Sequence, residues 1–294
     1  MPEGKIIKAL SGFYYVRNED GEIIQCRGRG VFRKNKVTPL VGDNVVYQAE
    51  NETDGYILEV FERKNELIRP PISNVDQAIL VFSAVEPDFS PLLLDRFLVL
   101  VEFNDIKPII CISKTDLTNE NMSAKINNYA STYKDIGYDV LLTSTKAKDG
   151  VDRLLPFLDG QISVFAGQSG VGKSSLLNSL RPDLELKTND ISTSLGRGKH
   201  TTRHVELIEV GNGLLADTPG FSSLEFTTIE TDELAYCFPE IYDHGSNCKF
   251  RGCTHTSEPK CAVIRGVEEG DIQQFRYDHY VSFLEEIKDR KPRY

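Results

Sequence analysis

Eight residues, Gly167-Gln168-Ser169-Gly170-Val171-Gly172-Lys173-Ser174, constrain this chain more than any other stretch. They fit G-x-x-x-x-G-K-[ST] and sit between two supporting patterns: Ile162, Val164 and Phe165 read as a buried strand, and Ser175-Leu176-Leu177-Asn178-Ser179-Leu180 as a helix. Phosphate oxygens need several N–H donors converging from one side, and a glycine-rich turn lets the backbone wrap that closely without Cβ clashes. Gly170 and Gly172 supply that freedom. The following helix aims its free N–H groups and positive dipole end at the same spot. The stretch from Gly167 to Ser175, with Gln168, Ser169 and Val171 in the turn, is therefore expected to cradle phosphates. Lys173 would reach the β- and γ-phosphates, and Ser174 would ligate Mg²⁺. The alternative is a glycine-rich strand-to-helix turn with no ligand.

A chain of 294 residues should hold two or three domains. Its 40% hydrophobic and 27% charged content is that of a globular protein rather than a disordered one. Met1-Pro2-Glu3-Gly4-Lys5 leads into no apolar signal region, and the longest apolar runs, such as Ile79-Leu80-Val81-Phe82, fall far short of a membrane span. A cytoplasmic protein without membrane contact is expected. In that reducing compartment the six cysteines are thiols or metal ligands before they are disulfides.

A net charge of −10 argues against a protein that coats nucleic acid indiscriminately, because phosphate neutralisation dominates such binding. It leaves room for a local basic surface. Arg27, Arg29, Arg33, Lys34 and Lys36 crowd into one stretch with no acid among them and are the candidate RNA-binding residues; a solvated face is the plainer reading.

Residues 1 to about 65 read as short alternating strands, Lys5–Leu10, Phe13–Arg17, Glu22–Arg27, Asn44–Glu50 and Gly55–Phe61, separated by turn signals. Five strands without a helix suggest a small barrel, an OB-fold or else an SH3-like barrel, with the basic stretch on loop and strand ends near its middle. Arg69-Pro70-Pro71 reads as a linker. The period then changes. Strands are predicted over Gln77–Val85, Pro108–Ser113, Asp139–Ser144 and Ile162–Ala166, alternating with helices over Leu92–Phe103, Asn119–Ile136 and Gly150–Leu158. Such alternation implies a parallel sheet with helices on both faces and ligands beyond the carboxyl ends of its strands.

Two of those strand ends carry Ser113-Lys114-Thr115-Asp116 and Thr143-Ser144-Thr145-Lys146. Taken with the phosphate loop they resemble the two base-reading motifs of GTP-binding proteins, usually Asn-Lys-x-Asp and Ser-Ala-Lys. The chemistry suits guanine, because the Asp116 carboxylate only accepts and guanine turns N1–H and N2–H₂ donors toward it. Adenine would leave that carboxylate unpaired. Lys114 would lay its stem along the ring. Ser113 departs from the usual amide and cannot reach guanine N7 in the same way.

After the phosphate loop, Gly196-Arg197-Gly198-Lys199-His200-Thr201-Thr202-Arg203 is polar and glycine-rich. It runs into Val205–Val210, which should pair through Gly211-Asn212-Gly213 with Leu214–Ala216 as a hairpin, closed by Asp217-Thr218-Pro219-Gly220. In GTPases a switch threonine and an Asp-x-x-Gly turn face the γ-phosphate and its metal. Thr202, with Thr201 next in line, and Asp217 are the candidate Mg²⁺ ligands, and the Gly220 N–H the γ-phosphate sensor. A Ser/Thr-rich loop and an ordinary turn are the alternative.

A third cluster is Cys248-x₄-Cys253-x-His255-x₅-Cys261. Three thiolates and one imidazole make a closed tetrahedral set, which suits one structural Zn²⁺ and leaves no open position for catalysis. Metal binding would supply folding energy to the loop-rich segment 236–265. Free thiols beside a histidine are the alternative. Cys26, Cys111 and Cys237, the last in a stretch Thr231–Phe238 that reads as helical, are expected as core thiols, and Tyr277, Tyr280, Val281, Leu284 and Ile287 in Asp271–Lys288 as a helical packing face.

The order of these motifs is itself informative. The base readers precede the phosphate loop, whereas ordinary GTPases run phosphate loop, switches, base readers. Over essentially its whole length the chain resembles the ribosome small subunit-dependent GTPase A family, on the strength of Gly167–Ser174, Gly196–Thr202, Asp217–Phe221 and the metal spacing. The resemblance implies a multidomain protein: an N-terminal all-β OB-fold barrel (1–66) that binds RNA, a central α/β circularly permuted P-loop GTPase domain (67–225) and a C-terminal mainly helical zinc-binding domain (226–294). It implies Mg²⁺ with GTP and the small ribosomal subunit with its rRNA as partner, bound during late maturation and released on hydrolysis; a monomer is expected. Phe221 stands where many GTPases carry a water-orienting glutamine, so intrinsic hydrolysis should be slow and stimulated by the subunit, with His200 the candidate catalytic residue. A P-loop ATPase or kinase acting on a small molecule, and an RNA-binding scaffold with structural nucleotide, are the competing readings.

Overall fold

The structure, a computed structural model, describes residues 1–30, 32, 37–68, 70–181, 205–216 and 224–290. Five strands, β1 (Glu3–Leu10), β2 (Phe13–Arg17), β3 (Ile23–Gly28), β4 (Asn44–Ala49) and β5 (Gly55–Val60), close a barrel in the order β1-β2-β3-β5-β4. β4 returns antiparallel to β1, and β3 runs parallel to β5. That order is the OB arrangement. Alternation does the sorting: Ile6, Val16, Ile24, Cys26, Val45 and Ile57 fill the interior, while Phe13, Arg27 and Tyr56 share a register row facing outward.

The barrel is joined to the next unit by a buried polar knot. Asp43, fully buried, accepts from Arg63 Nε (2.7 Å) and Nη2 (2.8 Å) and from Ser73 Oγ (2.6 Å). The expected linker proves more ordered than a spacer: β6 (Glu66–Leu67) pairs with β7 (Ile72–Ser73), and Pro70 and Pro71 occupy the turn, where no backbone N–H is needed. Two-residue strands are too short to leave a period in the sequence.

Strands β8 (Gln77–Ser83), β9 (Lys107–Ser113), β10 (Asp139–Leu142), β11 (Ile162–Ala166), β12 (Leu207–Val210) and β13 (Gly213–Ala216) form a sheet in the order β10-β9-β8-β11-β13-β12. All neighbours are parallel except the β12–β13 hairpin. Alternate residues of β8 point to opposite faces. Ala78, Leu80 and Phe82 pack with α1 (Pro91–Phe103) and α2 (Glu120–Ile136); Ile79 and Val81 pack with the α3 (Leu155–Leu158) and α4 (Lys173–Leu180) side. Ser90 caps α1 ahead of Pro91, and Asn119 caps α2 by accepting from the Met122 N–H at 2.9 Å.

Two elements are shorter than the sequence suggests. Gly150–Leu158 is a 3₁₀ turn at Asp152–Leu154 followed by one turn of α3, because Pro156 interrupts the N–H series. Thr231–Phe238 retains only a 3₁₀ turn at Leu234–Cys237, since Pro239 starts a new helix, α5 (Pro239–Gly245). With α6 (Ala262–Glu269) and α7 (Gln274–Lys288), these pieces build a separate apolar cluster around Phe238, Tyr280, Phe283 and Leu284. Val99 on α1 belongs to that cluster, while Leu94, Phe97, Leu98 and Val101 face the sheet, so α1 is shared by both units. Among the described residues no helix is long and apolar enough to cross a membrane.

Candidate nucleotide site and metal centre

Parallel order places the carboxyl ends of β8, β9, β10 and β11 at one edge, and the sequence-predicted loops meet there. Residue 167 must be glycine: a Cβ would lie 2.1 Å from the Val81 carbonyl oxygen of the adjacent strand. Gly172, at φ +98°, is the N-cap of α4 and brings no side chain to the helix end, which leaves the first N–H groups to a ligand. Lys173 folds over the loop, donating from Nζ to the Gly167 (2.8 Å) and Gln168 (2.6 Å) carbonyls. Burial lowers its ammonium pKa to about 8, so an anion placed here gains a cation already stripped of much of its water. Ser174 is buried on the first turn of α4, with Ser175 beside it in the chain.

The two base-reading segments are cross-stitched. Asp116 lies on a 3₁₀ turn (Thr115–Leu117) following Lys114, which is left-handed at φ +57°. Ser144 Oγ donates to Asp116 Oδ1 at 2.6 Å, and Thr115 Oγ1 donates to the Thr143 carbonyl at 3.1 Å. The Ala147 N–H donates to Ser144 Oγ at 2.9 Å, and a bridge between Ser144 and Asp149 closes the loop that carries Thr145 and Lys146. The carboxylate is thus aimed before any base arrives. Lys114 Nζ donates to the Glu86 carbonyl, a contact that spacing could not have announced. Ser113 is buried and donates to the Val171 carbonyl of the phosphate loop, with the Phe82 carbonyl at 3.2 Å. It therefore ties strand β9 to the phosphate loop.

The candidate Mg²⁺ ligands Thr202 and Asp217, together with Thr201, Gly220 and His200, lie outside the described residues, as do Arg33, Lys34 and Lys36. Arg27 and Arg29 are exposed on the barrel, and the Arg27 guanidinium sits 5.0 Å from the Phe13 ring centroid. The hairpin β12–β13, flanked by those two undescribed segments, is held against the barrel by ion pairs from Lys8 to Glu206 (2.9 Å) and from Arg17 to Glu209.

Cys248, Cys253, His255 and Cys261 converge, their ligand atoms all within 4.8 Å of one another. A zinc tetrahedron with Zn–S of ~2.3 Å and Zn–N of ~2.0 Å has edges of about 3.8 Å between sulfurs and about 3.5 Å between sulfur and nitrogen. The structure matches: Cys248 and Cys253 each lie 3.8 Å from Cys261 Sγ, and His255 Nδ1 lies 3.6 Å from Cys248 and 3.5 Å from Cys261. The donor set fits Zn²⁺. Burial lowers the His255 pKa, keeping the imidazole neutral as a ligand must be. Burial, with the neighbouring thiols, pushes Cys253 up to about 12, the cost that a bound cation offsets.

Supports around these four were not legible from ligand spacing. Glu258 accepts from Thr254 N and Oγ1, Thr256 N and Ser257 N, and although burial works against it, these bonds hold the carboxyl down to about 2. Tyr277 and Tyr280, expected as packing residues, also donate from their hydroxyls to the His255 (2.7 Å) and Thr254 (3.0 Å) carbonyls.

Known proteins resemble this chain over its whole length. The family model described as RsgA GTPase matches residues 60–227, and that described as RsgA N-terminal domain matches residues 3–57. The small ribosomal subunit biogenesis GTPase RsgA of Bacillus cytotoxicus is 70% identical over 294 residues, covering all of both chains. The protein of the same name from Bacillus subtilis (strain 168) is 66% identical over 298 residues, again with full coverage of both. Among solved structures, that of YloQ, a circularly permuted GTPase, is 62% identical with a TM-score of 0.88, covering 100% of this chain and 97% of that one. YjeQ from Thermotoga maritima is 38% identical with a TM-score of 0.89, covering 99% of each.

Proposed function

The chain belongs to the RsgA GTPase family, a GTP hydrolase of circularly permuted order, and on that premise we propose that it binds the small ribosomal subunit and acts in its late maturation. GTP favours attachment and hydrolysis to GDP favours release. The observation that carries the guanine reading is Asp116 held by Ser144 at the same sheet edge as the phosphate loop, with only β8 between their strands, an arrangement that accepts two guanine donors and repels adenine.

In this reading Gly167–Ser175 hold the phosphates, and Ser174, Thr202 and Asp217 hold Mg²⁺, which would neutralise charge developing on the transferred phosphoryl group. His200 positions the attacking water once the subunit docks. Cys248, Cys253, His255 and Cys261 hold one structural Zn²⁺. The exposed Arg27 and Arg29, with Arg33, Lys34 and Lys36, contact rRNA. The chain divides at about residues 66 and 225, works as a monomer, and is cytoplasmic because its partner is.

The deciding experiment is nucleotide hydrolysis with GTP and with ATP, each with and without purified small subunits. GTP-selective turnover stimulated by the subunit is expected. ATP preference would support a kinase or ATPase, and tight binding without turnover a scaffold.

A further inference from the structure

Guanine offers a reader its N1–H and N2–H₂ donors and its O6 and N7 acceptors. An N7 acceptor needs a donor. In the usual Asn-Lys-x-Asp motif the amide is placed to supply it; here the position holds Ser113. We propose that this chain leaves guanine N7 unread, with Ser113 a positioning residue that fastens the base-reading strand to the phosphate loop while Asp116 carries base choice.

The number of protons on Ser113 Oγ limits what it can donate. A hydroxyl has one. The two polar atoms facing Ser113 Oγ among the described residues are carbonyl oxygens, of Val171 and Phe82, and both only accept. Whichever of them takes the proton, the remaining lone pairs offer nothing to N7. Rotating the hydroxyl away would strip a loop carbonyl of its partner inside a buried site. Ser113 Oγ also lies against the loop itself, 3.7 Å from where a Cβ on Gly172 would stand. Neighbouring donors are engaged too: Thr115 Oγ1 with the Thr143 carbonyl, Ser144 Oγ with Asp116, and Lys114 Nζ with the Glu86 carbonyl. Exocyclic N2 and ring N1–H face the pre-aimed carboxylate; the imidazole edge of the base faces no free side-chain donor from these residues.

This inference rests on the guanine-nucleotide reading, and the test separates the two. GDP, 7-deaza-GDP and IDP compete against a fluorescent GDP analogue on the full-length chain. GDP and 7-deaza-GDP should agree within about threefold, while IDP, lacking N2, should be weaker by about tenfold or more because a carboxylate bond is lost. A larger penalty for 7-deaza-GDP, or none for IDP, overturns the proposal; failure of GDP itself to compete would instead count against the GTPase reading. Ser113→Ala should weaken GDP and 7-deaza-GDP by one common factor of roughly three to ten, with Ser113→Thr restoring both. Unchanged affinity in Ser113→Ala would remove the positioning role. Should the alanine variant fail to fold, the analogue ratio on the unaltered chain still decides.

Discussion

Arg276, on the last helix, donates to Asp95 Oδ1, on the first helix of the nucleotide-binding sheet, at 2.6 Å, and neither side chain exposes any surface. The same carboxylate accepts from Tyr133 OH (2.6 Å) on α2 and faces His279 Nδ1 (2.5 Å), while Arg276 also donates to Glu240 at 2.6 Å. One ion cluster thus fastens the C-terminal helical unit to the GTPase sheet.

Arg276→Ala leaves Asp95 and Glu240 buried without their main partner. A loss of about 3–5 kcal/mol is expected, since removing one member of a buried pair strands the other charge. Urea unfolding followed by circular dichroism reads it; a shift under 1 kcal/mol would show that the cluster contributes little.

Asp116→Asn replaces an acceptor with a group that also donates. GTP affinity should fall by roughly two orders of magnitude, and xanthosine triphosphate, which presents a C2 carbonyl there, should bind better than GTP. Ser144→Ala, which frees the carboxylate to swing, should cost about tenfold. Equilibrium competition measures both.

Lys173 gives GTP binding a pH dependence. Its pKa in the free protein is lowered to about 8 by burial, and triphosphate beside it must raise that value. The bound form therefore holds the extra proton, affinity is fully present below about pH 8, and it declines as pH rises above 8 by up to about tenfold per unit. Titration calorimetry in buffers of different ionisation enthalpy should detect proton uptake near pH 8.5. Affinity that holds constant up to pH 9.5 would refute it.

Chelation of the metal should release one Zn²⁺ per chain and leave three thiols, Cys248, Cys253 and Cys261, open to a thiol reagent. Cys26, Cys111 and Cys237 should stay slow, because burial excludes the reagent and pushes them up to about 11, 11 and 12. Thiol counting before and after chelation checks the difference. The GTPase sheet has its own cores and should retain nucleotide affinity.

Much of the molecule was legible in the chain itself, for a physical reason. Phosphate cradles and metal loops rely on residues close together in sequence, so Gly167–Ser174 and Cys248 to Cys261 carry their chemistry in spacing; Asp116 and Ser144, 28 residues apart, became legible only through the resemblance of their segments, beside a phosphate loop, to base-reading motifs. Strand alternation likewise announced β1 to β5, and short apolar runs the central sheet, because burial on one face leaves a period of two and burial on both leaves an unbroken run. Short elements escaped: the β6–β7 hairpin and the 3₁₀ turns at Asp152–Leu154 and Leu234–Cys237 are too brief to repeat anything.

What only the tertiary structure decided is where single atoms point and which distant groups meet. Arg276 reads as one more charge on an amphipathic helix, yet it is fully buried because a carboxylate 181 residues away waits for it. Ser113 reads as a weakened base contact, yet its proton belongs to the phosphate loop 58 residues on. Contacts at such separations are set by how packed elements meet, and they leave no pattern along the chain.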